Sequence, residues 1–343
     1  MRVTIKDIAR LANVSTTTVS RVINNKDEGV GSETRKRIQQ IIKDLNYKPS
    51  SLARGLVTKK TKSIGLVLPD ITNPFFPDLA RGVEDYSVNK GYNAFLCNSD
   101  NNGEKEKIYI NALMEKHVDG LVITSTHNLE EKHILELMEN KIPIVILDRR
   151  FKSKDLHGVY TDNFSGAYEA VRYLIQNGHK SIGCITGPLD TSISKERFEG
   201  YKKALKDNGI KYNDRFIVQS NFKIDGGIKA SEELLKNKEI TAIFACNDLM
   251  AYGVYKTARK LKLNVPEDIS VIGFDDISLS QIVTPTLTTV SQPVYEMGYE
   301  AAKMLISLIE GKVLKRKVKK LSTKLVVRES TTKKGIQGDV KLD

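Results

Sequence analysis

From residue 63 onward the chain repeats one pattern: a short β-rich apolar run, an amphipathic helical stretch, then another apolar run. The apolar runs fall at residues 64–69, 92–97, 120–124, 143–147, 181–186, 216–219, 242–246 and 269–274. Helical periodicity fills intervals such as 74–90, 164–177, 194–208 and 249–261. Repeated β-α alternation implies parallel sheets with helices on both faces. There are too many units for one small sheet, so two doubly wound α/β lobes are expected. In such folds ligands bind at the carboxyl ends of the strands. No close internal repeat and no low-complexity tract interrupts the pattern.

The first 62 residues read differently, as short helices only. Apolar residues at Ile5, Ile8, Ala9 and Ala12 have helical spacing. Thr4 can cap this helix, with Asp7 three residues on as its capping-box partner. A second helix is expected over 16–23, capped by Ser15, and a third over 32–46, with Ile38, Ile41, Ile42 and Leu45 on one face. Pro49 ends the pattern. Helix, tight turn and polar-faced helix make the all-α helix-turn-helix plan. Its turn needs a residue that tolerates positive φ, and Asn13 suits. Ala9 is small enough to let the two helices cross, and Val14, Val19 and Val22 can face inward. That leaves Thr16, Thr17 and Arg21 outward, as hydrogen-bonding or methyl-contacting groups for base edges. Ser15, Thr18 and Ser20 suit phosphate contact or capping.

Charge sharpens this division. Residues 1–62 carry 14 Lys/Arg against 5 Asp/Glu, and residues 312–343 carry 11 against 3. The stretch between them has 29 against 34, so two basic ends flank a mildly acidic body. A basic end beside a reading motif suggests phosphate contact. The C-terminal excess has no such motif and reads as a solvated surface. The rest of the composition, 40% hydrophobic and 28% charged, is ordinary for a water-soluble chain. No apolar run could span a bilayer and no signal-peptide stretch stands at the N-terminus, so a cytoplasmic protein without membrane contact is expected. Cys97, Cys184 and Cys246 lie far apart without metal-ligand spacing and are expected to be buried free thiols.

The head carries a resemblance. Val3-Thr4-Ile5-Lys6-Asp7-Ile8-Ala9, Asn13-Val14-Ser15, Thr18-Val19-Ser20-Arg21-Val22, Thr34-Arg35 and Tyr47-Lys48-Pro49 resemble the LacI/GalR family of bacterial repressors. Leu52-Ala53-Arg54-Gly55-Leu56 resembles that family's hinge helix, and the likeness extends over the whole chain. Gly31 departs from the family's usual serine, which bears only on the cap of the third helix. The resemblance implies a helix-turn-helix domain at 1–48, a hinge and linker at 49–62, and a two-lobed effector-binding and dimerisation core at 63–343. It implies that Thr4, Ser15, Thr16, Thr17, Thr18, Ser20, Arg21 and Asn24 meet an inverted-repeat operator in double-stranded DNA. In the hinge, too short to be a stable helix alone, Leu56 would wedge into the minor groove and Ala53 would let paired helices approach.

Several expected strand ends carry groups suited to a sugar, which needs apolar surfaces for its C–H faces and planar polar groups for its hydroxyls. Asn73-Pro74-Phe75-Phe76 follows the first apolar run, and Asp148-Arg149 follows the fourth. Arg197 lies early on a helix, Phe222 follows the sixth run, Asn247-Asp248 and Asp275 close two later ones, and Gln292 precedes Pro293. The core resembles periplasmic sugar-binding proteins, and its pocket pattern resembles that of ribose-responsive family members. That likeness implies Asn73, Phe75, Phe76, Asp148, Arg149, Arg197, Phe222, Asn247, Asp275 and Gln292 as ligand contacts, and D-ribose as an effector that weakens operator binding.

Two other readings compete. Arg81-Gly82-Val83-Glu84-Asp85 and Asn98-Ser99-Asp100 resemble the catabolite-control branch of the family, which implies a phosphorylated carrier protein as corepressor. A hydrolase could use Asp148 and Asp275 as a carboxylate pair. Two arginines in one site would hold both carboxylates ionised, which suits a general acid badly. There is no Gly-x-Gly-x-x-Gly fingerprint, Walker loop or His-Glu-x-x-His motif, so no catalytic residue, cofactor or metal is expected. Residues 331–343 hold no leucine heptad, and a homodimer is expected from two-fold operators.

Overall fold

The computed structural model describes residues 3–24, 29–47, 60–124, 142–150 and 156–334, together with positions 134, 136, 137 and 139. It divides into two compact units, 1–62 and 63–343. The expected hinge residues Ala53 and Leu56 lie outside the described residues.

Among the described residues the first unit holds three helices: α1 Ile5–Leu11, α2 Thr16–Ile23 and α3 Ser32–Asp44. Local chemistry sets their starts. The Thr4 hydroxyl accepts from the Asp7 amide, and Asp7 Oδ2 accepts in return from the Thr4 amide at 3.0 Å, a complete capping box. Ser15 Oγ accepts from the Thr18 amide at 3.1 Å. Gly31 gives α3 no side-chain cap. Asn13 has φ 49°, and just after it the Val14 amide returns to the Ala9 carbonyl, closing the turn between α1 and α2. α3 ends two residues before the expected Asn46, which takes φ 44°. Ile8, Ala9, Ala12, Val19, Val22 and Ile38 form the buried core, with Val14 packed against it.

The second unit has two six-stranded sheets. The first comprises β1 Ser63–Leu68, β2 Asn93–Asn98, β3 Leu121–Ile123, β4 Ile144–Leu147, β5 His157–Thr161 and β11 Val318–Leu321, ordered β11-β5-β4-β3-β1-β2. The second comprises β6 Ile182–Thr186, β7 Ile217–Gln219, β8 Ala242–Ala245, β9 Ser270–Asp275, β10 Thr288–Ser291 and β12 Lys324–Val326, ordered β12-β10-β9-β8-β6-β7. Each sheet therefore reverses its winding beside its first strand, as doubly wound sheets do. β12 pairs antiparallel with β10, a departure from the all-parallel expectation.

Helices cover the sheets. α4 Phe75–Asn89, α5 Gly103–Glu115 and α10 Val294–Ile309 belong to the first lobe. α6 Asn163–Gln176, α7 Ser192–Asp207, α8 Ile224–Leu234 and α9 Asp248–Lys260 belong to the second. α4 and α10 touch backbone to backbone: a Cβ on Gly82 would lie 2.1 Å from the Tyr295 carbonyl oxygen, and one on Gly298 2.0 Å from that of Leu79. α10 and β11 thus return to the first lobe after the second is built, so the chain crosses between lobes three times. The crossovers are tied together. Lys320 pairs with Asp162 at 2.7 Å, and Thr161 Oγ1 donates to Gln292 Oε1 at 2.5 Å.

The three cysteines are free thiols. Cys184 and Cys246 are buried as expected; Cys97, on the edge strand β2, is only half-buried. Among the described residues no helix is long and apolar enough to cross a membrane.

Candidate functional site

The carboxyl ends of both sheets meet around a small cavity of about 60 Å³. Nine of the ten residues expected from the sequence line it: Asn73, Phe75, Phe76, Asp148, Arg149, Arg197, Phe222, Asn247 and Asp275.

The turn after β1 supplies the apolar wall. Asn73 Oδ1 accepts from the Phe75 amide at 3.1 Å and so starts α4. The Phe75 and Phe76 rings meet edge to face with centroids 5.2 Å apart. Opposite them, Phe222 holds φ 63°, fixed by Asn247, whose Nδ2 donates to the Phe222 carbonyl at 2.9 Å. Asn247 Oδ1 meanwhile caps α9 through the Met250 amide, so capping and pocket building fall on the two ends of one amide.

The polar floor comes from both lobes. Asp148, at the end of β4, is buried with φ 68°, and its Oδ1 has no hydrogen-bond partner among the described residues. Nε and Nη1 of Arg149 are likewise buried without acceptors among the described residues. From the other lobe Arg197, 3% exposed, donates from Nε to Asn163 Oδ1 at 2.8 Å and from Nη1 to the Cys246 carbonyl at 2.5 Å. Nη1 also lies 3.5 Å from Asp275 Oδ1, and the guanidinium carbon sits 3.7 Å from the centre of the Phe274 ring. Buried polar atoms without partners cost free energy unless a ligand or water completes them. They therefore mark where a hydroxyl-rich molecule would hydrogen-bond.

Burial governs the charges here. It pushes the Asp148 carboxyl above the usual carboxylate range against the pull of Arg197 and Arg149. It pushes Asp275 further still, with the nearby Asp248 and Asp148 adding to the rise and Arg197 opposing it. It lowers the Arg149 guanidinium, which Asp148 partly offsets. Burial thus acts against the two arginines, and its net direction on both carboxyls is upward.

Gln292 does not line the cavity. It stands one layer back, where Nε2 donates to Asp275 Oδ1 at 2.8 Å and Oε1 accepts from Thr161. Asp70, Asn101, Ile193, Asn221 and Lys223 line the cavity and were not singled out in the sequence. Asp70, Asn101 and Asn221 sit on loops, Lys223 stands at the start of α8, and Ile193 lies in the first turn of α7.

In the first unit, Thr16, Thr17 and Arg21 are exposed along one face of α2, as the helix-turn-helix plan requires. Thr18 Oγ1 shares a 2.9 Å hydrogen bond with Ser15 Oγ, so both hydroxyls are fixed at the start of the helix. Thr4 is exposed and engaged in its capping box. Asn24 turns its Nδ2 onto the Ser20 carbonyl at 2.8 Å, which closes the end of α2.

A helix-turn-helix unit in one chain with a two-lobed, pocket-bearing core defines a ligand-responsive DNA-binding regulator. Comparison with known proteins agrees on both parts. Residues 4–50 match the family described as bacterial regulatory proteins, lacI family. Residues 61–329 match periplasmic binding proteins and sugar binding domain of LacI family. The chain is 40% identical to catabolite control protein A of Priestia megaterium, over 96% of this chain and 100% of that one. It is 41% identical to the ribose operon repressor of Halalkalibacterium halodurans, over 96% and 97%. It is 39% identical to the repressor PurR of Aliivibrio salmonicida, over 96% and 99%. Among solved structures, a LacI family regulator from Enterococcus faecium with bound ribose matches with TM-score 0.73 and 33% identity, covering 79% of this chain and 99% of that one. The lac repressor dimer bound to operator matches with TM-score 0.86 and 26% identity, over 97% and 100%. The chain belongs to the LacI family: it is a DNA-binding transcriptional repressor with a sugar-binding domain, and not an enzyme.

Proposed function

We propose that the cavity takes D-ribose and that its binding lowers the affinity of a homodimer for an inverted-repeat operator in the cytoplasm. The observation that carries this reading is the pair of buried donor and acceptor groups on Arg149 and Asp148, unpartnered among the described residues and facing Arg197 and Asp275 between aromatic walls. A small polyol satisfies such a floor with hydroxyls while its C–H faces lie on Phe75, Phe76 and Phe222. The ribose operon repressor and the ribose-bound structure, both similar over the whole core, support the choice of sugar. The operator-bound lac repressor dimer supports the homodimer. Thr16, Thr17 and Arg21 read base edges in this scheme, while Thr4, Ser15, Thr18, Ser20 and Asn24 position the head on phosphates. Leu56 wedges into the minor groove, and Ala53 lets the paired hinge helices approach.

Ligand can shift the equilibrium only through its differential affinity for the two states. Ribose is expected to weaken operator binding by roughly 5- to 150-fold, the usual span of such coupling. Operator selected from a random pool and titrated with ribose, glucose, galactose, xylose and arabinose tests this. Release by ribose alone is the expected result. Release by none of the sugars rejects the ribose reading and favours the second one, a phosphorylated carrier protein as corepressor. The 40% identity to catabolite control protein A is the observation behind that alternative.

The raised carboxyls add a pH dependence. Sugar hydroxyls donate to ionised carboxylate oxygens, so binding favours the ionised forms of Asp148 and Asp275 that burial disfavours in the free pocket. Ribose affinity is therefore expected to fall as pH drops, with proton release on binding. Calorimetry in two buffers of different ionisation enthalpy reads that release. A flat affinity with no proton release would show the carboxylates already ionised before the sugar arrives.

A further inference from the structure

Asp248 is the first residue of α9 and is 0% exposed, yet its carboxylate serves a different segment. Oδ2 accepts from the Ile277 amide at 3.0 Å and from the Ser280 hydroxyl at 2.7 Å, while Oδ1 accepts from the Thr289 hydroxyl on β10. The segment it holds begins at Asp275 and Asp276, with φ 122° and 60°. Two consecutive non-glycine residues keep such angles only when their surroundings over-determine them. Gly273 makes room for the arrangement: a Cβ there would lie 2.2 Å from Asp248 Oδ1. Ile277, in the same turn, is buried in the apolar cluster that contains Phe75 and Phe76 of the opposite lobe. The turn therefore presents Asp275 to the cavity and packs onto the far wall at once.

We propose that Asp248 is a positioning residue for ligand binding, acting through the turn that sets the Asp275 carboxylate against Arg197. This rests on the reading of the cavity as a sugar site. Burial pushes the Asp248 carboxyl up to about 6, and the bonds from Ser280, Thr289 and Ile277 oppose that rise. Its two oxygens face three donors, the Ile277 amide and the Ser280 and Thr289 hydroxyls. Asparagine keeps its volume but replaces one carboxylate oxygen with an NH2 that can only donate, so a hydroxyl on that side must turn from donor to acceptor. Second supports are visible at the same turn. The Tyr252 hydroxyl lies 2.7 Å from Ser280 Oγ, and Arg328 pairs with Asp276 at 2.7 Å.

The test uses the full-length protein. Asp248→Asn is expected to weaken ribose binding about tenfold or more. In an Asp275→Asn background the same change is expected to cost less than about threefold, because the two act as a unit. Equal losses in both backgrounds overturn the proposal. Should Asp248→Asn fail to fold, Ser280→Ala removes one donor without adding another, and the same cycle applies with a loss of about threefold in the wild-type background. Amide exchange at Ile277 gives a readout without ligand. It is expected to rise about tenfold in Asp248→Asn while the β8 amides of Ile243 and Phe244 stay unchanged. Unchanged protection at Ile277 overturns the proposal. If the wild-type protein binds no ribose, the sugar reading fails, and the exchange measurement alone decides for or against Asp248.

Discussion

Arg197→Met is expected to abolish ribose binding, with affinity at least about 100-fold lower. The guanidinium is buried and bridges Asn163, the Cys246 carbonyl and Asp275, while its plane lies on Phe274. Methionine fills much of the volume and satisfies none of the acceptors. Removing one partner of a buried ion pair costs about 3–5 kcal/mol, because the other charge is left uncompensated. Each 1.4 kcal/mol is about tenfold in affinity. Part of that cost is relieved when Asp275, already pushed up by burial, takes a proton. The protonated acid is a poorer acceptor for a sugar hydroxyl, so the relief comes at the expense of binding. Arg197→Lys is expected to recover little, since a compact ammonium cannot reach three acceptors set around a planar fork. Calorimetric titration with ribose checks both variants. Retention of affinity within about threefold in Arg197→Met would place the guanidinium outside the ligand's reach.

Much of this arrangement was legible in the residues, and what was not has physical causes. The capping box at Thr4 and Asp7, the Ser15 cap and the positive φ of Asn13 are local, and local chemistry decides them. The long apolar strands are legible because a strand buried on both faces leaves no polar position. β5, β10, β11 and β12 were not named in advance. They are short and mixed: His157 opens β5, and β11 contains Lys319 and Lys320. The return of α10 and β11 to the first lobe depends on a crossover, which no run of residues announces. The cavity was legible wherever a residue follows a strand, since the carboxyl ends of parallel strands converge. Gln292 also follows a strand, but Asp275 stands between it and the space. The upward pull of burial on the two carboxyls was not legible, because neighbouring charges can be counted in a sequence, whereas desolvation exists only once the chain is folded.

Val19→Asp is expected to eliminate operator binding altogether while ribose binding stays within about twofold. Val19 is 0% exposed, on the inner face of α2, in a core of six buried residues among those described. A domain this small rarely has more than about 3–5 kcal/mol of stability to lose. Deleting the buried valine removes about 1.5–3 kcal/mol of apolar burial. The carboxylate that replaces it sits among Ile8, Ala9, Ala12, Val22 and Ile38 and must either stay charged at a cost of several kcal/mol or protonate and remain a poorly satisfied polar group. Either route exceeds what the three helices can lose, so the reading face unfolds with its scaffold. The cavity is built on separate apolar clusters in the other unit, none of which includes Val19. Fluorescence anisotropy on operator DNA and calorimetry with ribose separate the two effects. Arg21→Ala, on the exposed face of the same helix, is the control that removes a reading group and leaves the helical signal in circular dichroism intact. A Val19→Asp protein that still bound operator would show that α2 does not need this core to present Thr16, Thr17 and Arg21. A matching loss of ribose binding would instead show that the two units do not fold independently.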